Sequence, residues 1–257
     1  MIEKICQNNK IEHTVKSSLR KQWYLIKAEI LSLRLNWKWS LLIVLVSPLS
    51  ILFFLYVLSG NRAEFMQYAI TGNIVMSLVT GTMLTLGQEL GILKQIRGFD
   101  YYAALPIRKS NLIAAYLIRA TITTIPSIAV LMFIGKYILK IPISFHPSLI
   151  FIILLSGISL SALGTFIGIY CKNADQASIL TQIFQPIIVY CAPVFIPMDS
   201  MPIAIKVISY FIPTTYVANA IRASFNAAFD WTSIAILIVF SLISVILVEF
   251  KMDWRQK

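Results

Sequence analysis

The chain has 257 residues; 58% of them are hydrophobic, only 13% are charged, and Lys and Arg outnumber Asp and Glu by 22 to 11. Soluble domains carry about 25% charged residues, so this composition excludes an ordinary soluble domain. The basic residues flank long apolar runs and no nucleic-acid-binding motif accompanies them, so we predict an all-α integral membrane protein without a nucleic-acid partner.

Residues 1–38 are predicted to form a cytoplasmic tail whose second half, residues 18–38, is an amphipathic helix. The large apolar residues of this helix recur at steps of three and four, which is typical of one apolar stripe. They are Trp23, Ile26, Ile30, Leu33 and Trp37. Basic residues beside the stripe favour a position in the inner membrane interface, next to lipid phosphates. The alternative is packing on another cytoplasmic segment.

Six apolar runs follow, each close to the roughly 20 residues that cross a bilayer as a helix. They are residues 39–58, 68–86, 112–133, 149–170, 179–196 and 231–250. We therefore predict a six-span transmembrane domain over residues 39–250 and a short cytoplasmic tail over residues 251–257.

The basic residues are distributed unevenly between the two sides of this domain. With the N-terminus in the cytoplasm, sixteen of the 22 Lys and Arg lie in inside segments and five in outside segments. Arg119 lies within the third run, where we expect its side chain to reach the interface. Because Lys and Arg concentrate on the cytoplasmic side, we predict cytoplasmic termini and a multi-pass protein of the plasma membrane.

The loop between the second and third runs, about residues 87–111, is predicted to contain a short amphipathic helix. Leu90, Leu93 and Ile96 form an apolar edge, while Gly98 is expected to stop the helix and Pro106 to turn the chain. A helix of this kind is suited to dock into a groove of a partner protein. The alternative is a helix that rests on the membrane surface.

Four prolines interrupt the apolar segment that follows the fifth run. They are Pro193, Pro197, Pro202 and Pro213. The segment is too polar for a regular span and too apolar for a free loop, so we predict two short helices that enter the outer leaflet and return. The alternative to this re-entrant hairpin is a plain extracellular helix pair.

Small and polar residues mark two of the spans. Gln182 and Gln185 lie in the fifth, where they indicate either a polar pathway or hydrogen bonds between helices. Small residues share one face of the fourth span and predict close helix packing, most simply within one subunit, with a dimer contact as the alternative. They are Gly157, Ser161, Gly164 and Gly168.

The sequence contains no motif for chemistry on this chain. There is no G-x-x-x-x-G-K-[ST] phosphate loop, no H-E-x-x-H pair and no evident Ser-His-Asp set. The cysteines and histidines are too far apart to predict a metal site. No carboxylate pair lies within a predicted span, which weakens the case for an ion-coupled carrier.

Two segments carry a resemblance to a known family. The first is ELGILKQIRG followed by ALP, and the second is FIPMDSMP followed by IPTTYVANAIR. The first segment lies between the second and third predicted spans, and the second lies before the last one. In these positions of a six-span chain, the two segments resemble those of the membrane subunits of type-2 ABC exporters, which export drugs, lipids and polysaccharides. Over residues 99–104 the sequence departs from drug-exporting relatives, which often have Thr-Pro directly.

The resemblance assigns roles to individual positions. The first segment corresponds to the family's coupling helix, through Glu89, Gly91, Leu93, Lys94, Arg97, Gly98, Leu105 and Pro106. The second corresponds to its re-entrant hairpin, through Phe195, Pro197, Pro202, Pro213, Thr215, Tyr216 and Arg222.

The resemblance also implies how such a chain works. Two permease copies, identical or related, form the pathway, and two separate ATP-binding subunits dock from the cytoplasm and bring ATP and Mg²⁺. No cofactor is then expected on this chain, which contacts lipid and its protein partners only. The alternatives are an ATP-independent carrier or channel, or a membrane-embedded enzyme.

The distribution of basic residues gives a topology that can be tested with reporter fusions. A fusion at Lys257 should report the cytoplasm, and a fusion near Arg62 should report the opposite side of the membrane. An active periplasmic-type reporter at Lys257 would contradict the predicted orientation.

Overall fold

A computed structural model describes residues 2–59, 63–105, 107, 109–141 and 147–251, and these residues form helices joined by turns. Ten α-helices lie in the described part of the chain. They are α1 (Ile2–Ser59), α2 (Ala63–Leu78), α3 (Thr85–Gln95), α4 (Gly98–Ala103), α5 (Lys109–Phe133), α6 (Ser148–Tyr170), α7 (Ala174–Tyr190), α8 (Ile203–Ser209), α9 (Pro213–Phe225) and α10 (Trp231–Lys251).

Two π-helical segments extend the regular helices. Val79–Leu84 joins α2 to α3, so that Phe65–Gln95 is one continuous helix of 31 residues, which we call the second rod. Ile134–Ile138 extends α5 in the same way, to give the helical stretch Lys109–Ile138. These two stretches and α6 are long and apolar enough to cross a membrane.

Two further helices are apolar over a shorter length, at Leu45–Leu58 in α1 and Trp231–Ile246 in α10. The all-helical prediction is therefore confirmed for the described residues, and several of their helices are apolar, three of them long enough to cross a membrane. The count of six spans stays a prediction, as does the membrane position of each end.

The N-terminal helix does not stop where the predicted tail meets the first span. α1 is continuous over 58 residues, and its first 46 positions, residues 2–47, contain neither glycine nor proline. Its predicted apolar stripe is half-buried at Ile26 and Leu33, and exposed at Trp23 and Ile30. The side chain of Trp37 and the tail residues 252–257 lie outside the described part of the chain.

The fifth predicted span is displaced toward the N-terminus. α7 begins at Ala174, where the Asn173 side chain accepts a hydrogen bond from the N–H of Gln176 at 2.9 Å and caps the helix. It ends at Tyr190, shortly before Pro193, because the residue that precedes a proline is disfavoured in helical conformation. Residues 191–196 are turns rather than the end of a span.

α6 lies at the centre of the bundle and packs on α10, on α9 and on the second rod. Its small residues make these close contacts possible. A Cβ atom at Gly164 would overlap the backbone carbonyl of Met83, and one at Gly168 would lie 2.5 Å from the Cβ of Leu90. Ser161 is 3.1 Å from the hydroxyl of Ser244 in α10. This face of α6 therefore packs within the chain, with backbones as close as small side chains permit.

The Gly164 contact predicts a position-specific loss of stability. Gly164→Ala should lower the free energy of unfolding by about 1–3 kcal/mol, because the added methyl group meets backbone that cannot rotate away. Gly157→Ala is the matched control, since its neighbours are side-chain atoms of Thr121 and Thr82. Thermal unfolding of the purified chain, followed by size-exclusion chromatography, measures both. Equal losses in the two variants would contradict this packing.

Candidate functional site

The predicted coupling segment is the end of the second rod followed by a sharp turn. α3 ends at Gln95, and Arg97 then adopts a left-handed conformation with φ of 54° before α4 begins at Gly98. The helix therefore stops before Gly98, the residue that the sequence predicted to stop it, and the left-handed residue is Arg97. Gly98 has a packing role, because a Cβ there would lie 2.7 Å from the Leu93 side chain.

The inner face of this segment is buried against the same chain. Leu90 and Leu93, with Leu86 of the same helix, belong to a buried cluster with residues of α4 and α5, namely Phe99, Leu112, Ile113 and Tyr116. A Cβ at Gly91 would lie 2.5 Å from the Cβ of Ala177 in α7. Leu90 and Leu93 therefore face the same chain rather than a partner, and the close approach at Gly91 is made by α7. The helical pattern of the sequence identifies the apolar face of α3 but not the element that packs against it.

Lys94 and Gln95 attach the end of α3 to the connection between α6 and α7. The Lys94 ammonium donates to the carbonyl oxygens of Ile169 and Cys171, at 2.6 and 2.7 Å. These carbonyls end α6, where a cation also complements the helix dipole. The Gln95 side-chain oxygen accepts from the N–H of Ala174, at the start of α7, at 3.0 Å. A movement of α3 would therefore move both neighbours.

Glu89 lies in an ion-pair group that joins three helices. Arg119 of α5 contacts Glu89 of α3 on one side, and its other terminal nitrogen lies 3.2 Å from Glu29 of α1. All three side chains are mostly buried, with 14–23% exposed. Burial raises the pKa of the Glu29 carboxyl, and the Arg119 charge offsets part of that rise. Arg119 is thus paired within the protein, and its position relative to the membrane interface stays a prediction.

The sequence reasoning missed Glu29 and Arg119 as partners of Glu89. Arg119 is an isolated charge among apolar residues of its helix, which is a signal for a buried pair, whereas Glu29 lies two residues from Lys27 and gives no such signal. Because Glu29, Glu89 and Arg119 are far apart in the sequence, the sequence does not show which of these charges pair.

The opposite face of the same segment is exposed and largely apolar. The exposed fraction is 48% for Ile92, 66% for Ile96, 67% for Tyr101 and 36% for Leu105, and the Arg97 side chain is also exposed. We call these five residues the 92–105 surface. Pro106, the last position of the predicted segment, lies outside the described residues. An apolar patch beside a basic residue is typical of a site that binds a protein or a membrane surface.

The residues of the second motif stabilise the turn after α7 and the two short helices that follow it. The Arg222 guanidinium donates to the carbonyls of Pro193 and Val194, both at 2.6 Å, and lies 4.1 Å from the ring centroid of Tyr68. Phe195 packs on Gly72 of α2 so closely that a Cβ there would overlap its ring. Arg222 and Phe195 therefore fix this region on the second rod.

Prolines and hydroxyls of the same motif define the short helices. Pro202 precedes α8 as its N-cap, and Pro213 is the first residue of α9, where its missing N–H costs no hydrogen bond. Thr215 and Tyr216 donate to the carbonyls of Ser209 and Tyr210, at 2.6 and 2.8 Å. Pro197 precedes a single 3₁₀ turn, Met198–Ser200. The position of this helix pair in a bilayer stays a prediction.

The two glutamines of the fifth predicted span have different surroundings. Gln185 donates to the hydroxyl of Thr80 in the second rod, at 2.7 Å, and so links two helices. Gln182 donates to Ser178 of its own helix, at 2.8 Å, and its side chain is exposed. Ser178 also accepts a hydrogen bond from Gln88 of α3, at 3.3 Å. A polar row therefore runs along the contact between α7 and the second rod.

No group of three or more His, Cys, Asp or Glu within the described part of the chain could hold a metal ion. Long apolar helices packed through small residues define a multi-pass helical membrane protein. A family model described as ABC-2 type transporter matches residues 21–226. Since the match covers most of the sequence, the chain belongs to the ABC-2 type transporter family and is a membrane transport component. A comparison with curated proteins gives no match.

The ion-pair group predicts a specific order of stabilities. Arg119→Gln leaves two largely buried carboxylates without their cation and should cost about 3–5 kcal/mol. The triple variant Glu29→Gln, Glu89→Gln and Arg119→Gln should be more stable than Arg119→Gln alone, because no unpaired charge remains. Arg97→Gln, at an exposed position, is the control. Thermal unfolding ranks these variants, and a triple variant less stable than Arg119→Gln would refute the pairing.

Proposed function

We propose that this chain is the permease subunit of an ATP-driven exporter of the plasma membrane. It has six spans and cytoplasmic termini, and two copies form the translocation pathway. Separate ATP-binding subunits dock on the 92–105 surface and supply ATP and Mg²⁺. The family membership supports a transport role, and the observation that carries the coupling assignment is the direct continuation of the second rod into this surface.

The length of the second rod supports a coupling role. Its 31 residues correspond to about 46 Å, whereas the hydrocarbon core of a bilayer is about 30 Å thick. The rod therefore extends beyond the hydrocarbon core on at least one side. The end at Gln95 carries basic residues and the turn, so we place it in the cytoplasm, within reach of a soluble partner.

The contacts of this end explain how a docked partner would act on the spans. A displacement of the 92–105 surface is transmitted to α6 and α7 through Lys94 and Gln95. It reaches α1 and α5 through the Glu29–Arg119–Glu89 group. ATP bound by the partner would shift the spans between two arrangements by contacting one arrangement better than the other.

The 92–105 surface can be tested without knowledge of the substrate. Ile96→Asp should weaken binding of an ATP-binding subunit that co-purifies with the wild-type chain by about 30-fold, because a charge replaces an exposed apolar contact. The matched control is Tyr137→Asp, with a similarly exposed aromatic residue at the far end of the α5 stretch. Co-purification and partner ATPase stimulation are the measurements.

The two variants separate docking from folding. Ile96→Asp should behave as the wild type in thermal unfolding while it loses the partner and its stimulation. Undiminished partner binding by Ile96→Asp, or loss of binding by Tyr137→Asp alone, would show that the 92–105 surface is not the docking site.

A further inference from the structure

A cavity of about 190 Å³ lies between α1, the π-helical part of the second rod and α5. Its walls combine apolar atoms with an unusual number of hydroxyl groups. They are formed by Ser47, Pro48, Met76, Ser77, Thr80, Gly81, Leu84, Thr85, Thr123 and Thr124. Ser47 is exposed, while Pro48 and Thr124 are buried, so the cavity extends inward from the surface of α1.

The cavity lies at mid-height of the two long spanning helices that line it. Its second-rod residues, 76–85, are centred within Phe65–Gln95, and Thr123 and Thr124 are centred within Lys109–Ile138. Polar side chains at this depth in a bilayer are costly unless they serve packing or a site. Six hydroxyl-bearing residues around one space therefore require a physical explanation.

The helices around the cavity all depart from regular α-helix near it. Val79–Leu84 is π-helical, a geometry that frequently occurs at functional sites. Pro48 lines the cavity and Pro126 follows Thr124 by two residues, and each lacks the N–H that would bond the carbonyl of the preceding turn. Irregular backbone at membrane depth is tolerated where it faces protein or a cavity.

The hydroxyl groups of the walls present acceptors rather than donors. Ser77, Thr80, Thr85, Thr123 and Thr124 each donate to a carbonyl of their own rod or helix, at 2.7–3.0 Å. The lone pairs of Thr85, Thr123 and Thr124 are left for other groups, whereas the Ser77 hydroxyl lies 3.1 Å from the hydroxyl of Ser127. The lone pairs of Thr80 already accept a hydrogen bond from Gln185. The walls therefore suit a ligand with a hydroxyl group that donates a hydrogen bond.

Charge excludes one class of ligand. The described lining residues carry no charge, so an ammonium or carboxylate in the cavity would lose its hydration without a counter-ion. Size limits the ligand further, since an apolar cavity of about 150 Å³ holds one benzene molecule.

We propose that this cavity is a binding site for a neutral amphiphile of about the size of phenol. The apolar walls hold the ring, and its hydroxyl donates to a free oxygen of Thr85 or Thr123. This inference does not depend on the proposed exporter function, because binding can be measured on the permease alone.

The test uses ¹⁹F NMR of 4-fluorophenol with the full chain in lipid nanodiscs, and 4-fluorotoluene as the probe that lacks the donor. We expect saturable broadening of the 4-fluorophenol signal beyond that in empty nanodiscs. The affinity for 4-fluorotoluene should be about tenfold lower, as expected for one lost hydrogen bond.

Three variants locate the site. Ser47→Phe should fill the mouth of the cavity and abolish saturable binding, whereas Ser50→Phe, also exposed on α1 but not part of the wall, should retain it. Thr85→Val with Thr123→Val keeps the shape and removes two acceptors, so the affinity for 4-fluorophenol should fall to that for 4-fluorotoluene.

Each alternative outcome overturns the proposal. Broadening that rises linearly with probe and matches empty nanodiscs would mean partition into lipid only. Binding retained in Ser47→Phe, or unchanged in the double valine variant, would place any bound phenol elsewhere.

Discussion

The contact between Gly164 of α6 and the carbonyl of Met83 is the constraint on which the rest of the structure depends. It brings the backbones of α6 and the second rod together where the rod is π-helical. No side chain larger than hydrogen fits between them, so the position of the rod against α6 is fixed. That position places α3 against α7, orients the hydroxyls of the cavity toward α1 and α5, and brings Lys94 to the end of α6.

Because the second rod is unbroken from Phe65 to Gln95, features far apart along it belong to one rigid element. The N-terminal part of the second rod carries Tyr68 and Gly72, which contact Arg222 and Phe195, respectively. Its middle lines the cavity, and its other end carries the Glu89 ion pair and continues into the 92–105 surface. Under the proposed function, a partner that displaces this end would act on all three places together.

Much of the fold could be predicted from the sequence, since apolar runs and breaker residues are local signals. The small residues of α6, the prolines at the starts of α8 and α9, and the approximate bounds of α6 and α10 are of this kind. The unpredicted features depend on contacts distant in sequence. The pattern of Leu90, Leu93 and Ile96 could not show that the first two face α4 and α5 while the third is exposed. Nor could it show that Glu89 meets Arg119 and Glu29.

The central claim is that the exposed end of the second rod is where an ATP-binding partner acts, and site-specific photocrosslinking in cells tests it most directly. A benzophenone side chain in place of Ile96, exposed at 66%, should give a crosslinked product with the ATP-binding subunit. The same group in place of Ile203, exposed at 83% in α8, should give none. Crosslinks from Ile96 to lipid or to this chain alone, or to the ATP-binding subunit from Ile203 instead, would contradict the account.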